Sequence, residues 1–259
     1  MRLQLIGGGK MGQALTGGLL AAEWAEPTEL AIAEVDPSLR EILTEQFPGV
    51  HIGDAPHAGV DAILAVKPWA ITEVAASLSE PARVMSIAAG VTIAALEAAL
   101  PAGTPVVRVM PNTPALVGDG ASALAGGTSA STDDLAWATS ILEAVGRVDV
   151  VTEAQLDAVT GLSGSGPAYF FLIAEALTDA GVLAGLARPT AEMLASQTML
   201  GAARMLLETD DGPAALRAGV TTPAGTTAAG LQVLEQQGLR AALIDAVQAA
   251  ANRSRELGA

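Results

Sequence analysis

The chain has 259 residues, 51% of them apolar and 16% charged, enough to bury a sizeable core in one large or two modest domains. Its 13 basic and 28 acidic side chains leave a formal charge of −15, which argues against nucleic acid or an anionic membrane surface as partner but leaves room for a local pocket that takes a small anion. With no cysteine and only His51 and His57, disulfides, thiolate sites and Cys nucleophiles are excluded, a histidine triad has little to draw on, and no metal is expected.

The chain leads directly into "RLQLIGGG", a strand entering a glycine turn, without a leader pattern, and no apolar run of ~18 residues suggests a membrane span, so a cytoplasmic protein is expected. Short apolar strands then alternate with helical spacing. "KMGQALTGGLLAA" reads as a helix and "LAIAE" as a strand; "DPSLREILTEQF" is a helix with Asp36 as N-cap and Pro37 at its first position. "DAILAVKP", "RVMSIAAG" and "PVVRVMPN" are further strands, with a helix from Trp69 and another that Thr92 caps. "STDDLAWATSILEAVG" is an amphipathic helix and "RVDVV" a last strand. This alternation predicts an α/β fold with a doubly wound, mostly parallel sheet.

After Val151 no strand pattern survives. Thr152 and Gln155 form a capping box, Pro167 and Pro189 open two long helices, "GPAALRAG" is a short one, and "LRAALIDAVQAAANRSREL" closes the chain. The expected division is a first domain over 1–151 and an all-helical second domain over 152–259.

Gly7, Gly9 and Gly12 stand as G-x-G-x-x-G between the first strand and the first helix. The first glycine permits the tight turn, the second lets a pyrophosphate approach the backbone, and the third permits close helix–strand packing. Glu34 ends the second strand, where a carboxylate suits the ribose hydroxyls of a dinucleotide. The context is therefore Rossmann-like, and the cofactor is NADH or NADPH. A carboxylate disfavours a 2′-phosphate and no base follows immediately, although Arg40, one helical turn on, is able to swing back; the balance leans to NADH.

Behind the glycine turn come "AVKP" (65–68), "RVMPNTPALVG" (108–118), "LDAVTGLSGSGPAYFF" (156–171) and "VTTPAGTTAAGL" (220–231), in that order. Together they resemble pyrroline-5-carboxylate reductase, which makes proline from its cyclic imine, and the resemblance spans nearly the whole chain. It implies cofactor binding by Ile6, Gly7, Gly8, Gly9, Lys10, Met11 and Gly12, by Ala65, Val66, Lys67 and Pro68, and by Ala88, Ala89 and Gly90. It also implies a helical C-terminal domain that dimerises, giving a homodimer or a higher oligomer built from dimers. One departure is visible: Ala224 stands where the family's Ser-Pro-Gly-Gly-Thr-Thr has its first glycine, which suggests that this position does not require a positive φ.

The chemistry needs a hydride from the nicotinamide, a proton on nitrogen and a seat for one carboxylate. Small residues leading into a helix supply that seat through free N–H groups. Val220, Thr222, Gly225, Thr226 and Thr227 are therefore expected at the substrate; a threonine hydroxyl can reach the imine nitrogen, and the resemblance implies that it is Thr227, while Thr226 alternatively caps the helix. Ser163, Gly164 and Ser165 either touch substrate or form a flexible hinge with an N-cap serine. Asn112 either forms a turn or lines the nicotinamide pocket, and Lys67 is either a cofactor contact or a surface lysine. The alternatives for the whole chain are a related imine or hydroxyacid oxidoreductase and a non-catalytic NAD-binding protein. The former group relies on a lysine in its second domain, whereas this chain has no lysine from Glu153 to Ala259.

Overall fold

A computed structural model describes residues 1–258, so Ala259, the end of the expected second domain, lies outside the described residues. The first part runs β1 (Leu3–Ile6), α1 (Lys10–Ala21), β2 (Leu30–Ala33), α2 (Pro37–Gln46), β3 (His51–Gly53), β4 (Asp61–Leu64), α3 (Ile71–Ser77), β5 (Val84–Ser86), α4 (Ile93–Ala99), β6 (Val106–Met110), β7 (Gly120–Gly126), α5 (Thr132–Glu143) and β8 (Gly146–Val150). These strands form one sheet in the order β3-β2-β1-β4-β5-β6-β7-β8. All neighbours are parallel except β6 and β7, which pair antiparallel with Val109 opposite Leu124.

The strands alternate between two buried faces, as period-2 side chains require. Leu3, Leu5, Ile32, Ile63 and Met85 meet Leu15 and Leu19 of α1, Leu43 of α2 and Ile141 of α5 on one face. Ile6, Ala33, Leu64 and Val84 meet Ile71 of α3 and Leu96 of α4 on the other. Both faces being covered explains why the strands read as continuous apolar runs. The caps form as the sequence predicts: Asp36 accepts from the Ser38 N–H at 2.9 Å, and Thr92 Oγ1 from the Ala95 N–H at 3.2 Å.

Two strands escaped the sequence reading. β3 has three residues, and β7, "GASALAG", contains no β-branched or aromatic residue, so β-propensity is silent there. β7 lies between β6 and β8 and is held by pairing on both edges.

The C-terminal part runs α6 (Leu156–Val159), α7 (Gly166–Leu183), α8 (Arg188–Glu208), α9 (Pro213–Gly219), α10 (Thr226–Gln236) and α11 (Leu239–Leu257). The chain separates into two compact units: residues 1–165 together with 247–259, and residues 166–246. Residues 152–165 belong to the sheet unit because Leu156 is buried against Ile93, Ala123 and Ala125. The end of α11 returns to the same unit. Ser254 Oγ donates to Asp157 Oδ1 at 2.6 Å, and a Cβ at Gly161 would lie 2.5 Å from the Val247 carbonyl oxygen. In the helical unit, α7 packs chiefly on α8. Among the described residues no helix is long and apolar enough to cross a membrane.

Candidate active site

The glycine turn has the geometry a dinucleotide diphosphate needs. Gly7 holds φ +106°, and a Cβ there would lie 2.8 Å from the Ala65 carbonyl oxygen. A Cβ at Gly12 would collide with the Gly7 carbonyl oxygen, which is how the first turn of α1 lies tight on the strand end. Gly9 is different: it is the N-cap of α1, has no side-chain cap, and nothing lies within 4 Å of a Cβ placed on it. Its backbone is thus open on the side where the unpaired N–H groups and positive end of a 12-residue helix point.

A cavity of about 720 Å³ opens there, lined by Gly7, Gly9, Lys10, Met11, Glu34, Ala65, Val66 and Lys67. All eight are among the residues expected at the cofactor. The sequence reading did not single out the rest of the lining, which includes Trp69, Ile87, Met110, Pro111, Thr113 and Leu116. Four of those lie in "RVMPNTPALVG", and Trp69 is 80% exposed beside Pro68, an unusual cost for an indole without a ligand. Ile6, Gly8, Gly12, Pro68, Ala88, Ala89 and Gly90, also expected at the cofactor, stand outside the lining. Because the sheet order runs β2-β1-β4-β5-β6, Glu34 and Met110 mark opposite ends of the cavity.

Glu34 is held in place. Its Oε2 accepts from the Gly8 N–H at 2.8 Å and its Oε1 from the Asp36 N–H at 3.0 Å. Each oxygen keeps a free lone pair for a ribose hydroxyl. Arg40, the nearest candidate for a 2′-phosphate, has its Nη1 donating to the Glu34 and Val35 carbonyls at 2.8 and 3.0 Å.

Asn112 opens a turn, its carbonyl accepting from the Ala115 N–H at 3.2 Å, while its side chain is engaged elsewhere. It is buried, it is absent from the cavity lining, and it does not cap the 3₁₀ turn Thr113–Val117 that it precedes. Its Oδ1 instead accepts from the Ala121 N–H at 2.8 Å, and its Nδ2 donates to the Ser163 carbonyl at 3.1 Å. The Ser163–Ser165 stretch is correspondingly not a flexible hinge with an N-cap serine. Thr160–Gly164 is a π-turn continuous with α6, closed by the Ser165 N–H donating to the Thr160 carbonyl at 2.8 Å, while Ser163 Oγ donates to the Val159 carbonyl at 3.1 Å. Gly and Ser composition hid a helical turn here, because the partners that fix it are distant in sequence.

The threonine turn lies in the helical unit. Val220 is exposed and ends α9; Thr222 to Gly225 form a turn closed by the Gly225 N–H donating to the Thr222 carbonyl at 3.0 Å. Two expectations fail in this turn. Ala224 does adopt a positive φ, 54°, because Pro223 followed by a closed four-residue turn places the third position in the left-handed region. Thr226 does not cap α10: Gly225 is the N-cap and no side chain closes the end. The first N–H groups of the 11-residue α10 therefore have no side-chain cap, with Thr226 exposed and Thr227 half-buried on its first turn.

The comparisons with known proteins agree with this geometry. Residues 153–257 match a family model described as pyrroline-5-carboxylate reductase dimerisation, and residues 2–90 match one described as NADP oxidoreductase, coenzyme F420-dependent. The pyrroline-5-carboxylate reductase of Synechocystis sp. is 44% identical, covering 100% of this chain and 98% of its own. The solved structure of a pyrroline-5-carboxylate reductase from Coxiella burnetii superposes with a TM-score of 0.92 at 40% identity, covering 100% and 98%. That of Plasmodium falciparum pyrroline carboxylate reductase, crystallised with NADP bound, superposes with a TM-score of 0.86 at 29% identity, covering 100% and 98%. A full-length relationship at this identity, on a fold with an intact glycine turn, makes this chain a member of the pyrroline-5-carboxylate reductase family.

Proposed function

We infer that the chain reduces L-1-pyrroline-5-carboxylate to L-proline with NADH or NADPH, and that it works as a homodimer or a larger assembly of dimers. The observation that carries the reading is the pairing of an open Gly9 backbone at the α1 terminus with a Glu34 carboxylate braced at one end of the same cavity. Bound NAD(P)H supplies the hydride that converts the C=N bond to an amine. Lys10 and the α1 N–H groups hold the diphosphate, Glu34 accepts from the ribose, and Lys67 faces the cofactor from the end of β4. The substrate carboxylate is seated on the uncapped first turn of α10 by Gly225 and Thr226, assisted by Val220 and Thr222 in the turn before it. The half-buried Thr227 hydroxyl holds the ring nitrogen. The imine nitrogen is basic and arrives protonated, so no strong general acid is required. Within the expected second domain, the helical unit 166–246 carries the substrate seat and the dimerisation faces.

With Glu34 fixed by two backbone N–H groups and Arg40 engaged by carbonyls, NADH is the favoured cofactor. Initial rates of NADH and NADPH oxidation with and without the cyclic imine test both points. Imine-dependent turnover with higher kcat/KM for NADH is expected. No turnover with either cofactor across a range of pH would refute the function, and a clear NADPH advantage would refute the preference.

A further inference from the structure

We propose that Asn112 is a positioning residue: its amide fixes the Ser163–Gly164 turn against the end of the cofactor cavity formed by Met110, Pro111 and Thr113. The inference rests on the reading of that cavity as the nicotinamide site.

The reason lies in a missing donor. In an α-helix the Ser163 carbonyl would accept from the N–H of residue 167, but residue 167 is proline and has none. A proline at that position also crowds the carbonyl four residues earlier, which is relieved where the helix widens into a π-turn, here Thr160–Gly164. The Ser163 carbonyl left without its α-helical partner receives the Asn112 Nδ2–H at 3.1 Å. The other end of the same amide accepts from Ala121 at the start of β7. One buried side chain thus joins three segments: the wall that follows β6, the antiparallel strand β7, and the proline-widened turn.

A second contact runs in parallel. Gly164 faces Met110 so closely that a Cβ at Gly164 would collide with Met110 Cε, and Met110 lines the cavity. The turn and the wall therefore move together, with Asn112 as the polar bond and Met110 as the apolar contact. A shift of the turn by as little as ~1 Å is enough to affect hydride transfer by a large factor.

The test uses the intact protein. Asn112→Asp keeps the acceptor for Ala121 but turns an oxygen toward the Ser163 carbonyl. The expected result is a kcat lower by ~10–100-fold with KM for NADH within about twofold of wild type, a split that general destabilisation does not produce. Pro167→Ala returns an N–H four residues beyond Ser163. Asn112→Ala/Pro167→Ala should therefore recover part of the kcat and melting temperature lost in Asn112→Ala. A kcat within about twofold of wild type in Asn112→Asp, or strictly additive effects in the double variant, would overturn the proposal. If the wild type itself fails to reduce the imine, the functional reading falls; the melting-temperature cycle still decides whether Asn112 and Pro167 act on one carbonyl.

Discussion

In the sheet unit Leu3, Leu5, Leu15, Ile63 and Met85 are sealed from solvent between strands and helices. In residues 166–246 the buried positions are Gly166, Thr178, Ala191 and Ala195, while Phe170, Phe171, Leu172 and Leu183 are 60–91% exposed. One unit has a core of its own and the other has helices with apolar faces turned outward. Large apolar residues therefore meet opposite outcomes in the two units, and the difference is what covers each face. Strand alternation forces two faces inward around a sheet, whereas α7 and α8 can hide only the seam between them. Helices so exposed become stable when a second copy buries them.

The largest test breaks that comparison directly. Phe171→Asp places a charge on the exposed face of α7. If a second copy covers it, an unpaired buried charge costs ~3–5 kcal/mol per copy. Sedimentation should then report monomers and turnover should disappear, with cofactor binding to the sheet unit retained. An oligomeric, active variant would mean that this face is free.

Thr227→Val asks whether the helical unit carries chemistry as well as assembly. Loss of a transition-state hydrogen bond to a partly charged nitrogen costs ~1.5–3 kcal/mol, or roughly 10–150-fold in kcat/KM. Because Thr226 is not a cap, Thr226→Val should leave the melting temperature nearly unchanged and weaken substrate binding only modestly. The reverse pattern of activities would exchange the two threonines' roles.

Asp134 probes the sheet unit. Burial alone would raise its pKa, but the Ser131 N–H and hydroxyl at 2.8 and 2.7 Å, together with Arg83, outweigh burial and hold it below the usual carboxylate range. A lowered folded pKa contributes stability above the unfolded value of ~3.9, and that contribution is lost as pH falls through the lower folded value. Asp134→Asn also weakens the capping box of α5, so it should cost ~1 kcal/mol at pH 7, and the gap to wild type should narrow toward pH 3. A gap independent of pH would contradict the ionic contribution.

The smallest effect is expected at Ala224. A non-glycine residue at φ 54° carries ~1–2 kcal/mol of strain, partly offset because alanine restricts the unfolded chain. Ala224→Gly should therefore stabilise by ~0.5–1 kcal/mol, read as a small rise in melting temperature. A fall would show that the turn tolerates alanine without strain.

Where local rules and tertiary demands coincide, the sequence was legible. The glycine turn, Glu34, the Asp36 and Thr92 caps and the bounds of α8 and α11 could all be read from neighbouring residues. Strand β7 could not, because Gly and Ala signal no strand and its place is fixed by pairing with β6 and β8. The π-turn at Thr160–Gly164 depends on Asn112, some fifty residues upstream, and on the absence of an N–H at Pro167. Ala224 was misread because the residue type was weighed and the Pro-X turn around it was not. Cavity residues such as Ile87 and Met110 look like ordinary strand ends until the sheet order places them beside the glycine turn.

The return of α11 to the first unit has a consequence for biosynthesis. Residues 1–165 are made first, yet Ala251 and Ser254, which close over Gly161 and Asp157, follow only after the 166–246 segment. At ~5–20 residues per second, the intervening 166–246 segment imposes a delay of about 4–16 s on that closure. During that interval Asp157 and Gly161 wait without the partners that the later part of the same chain supplies.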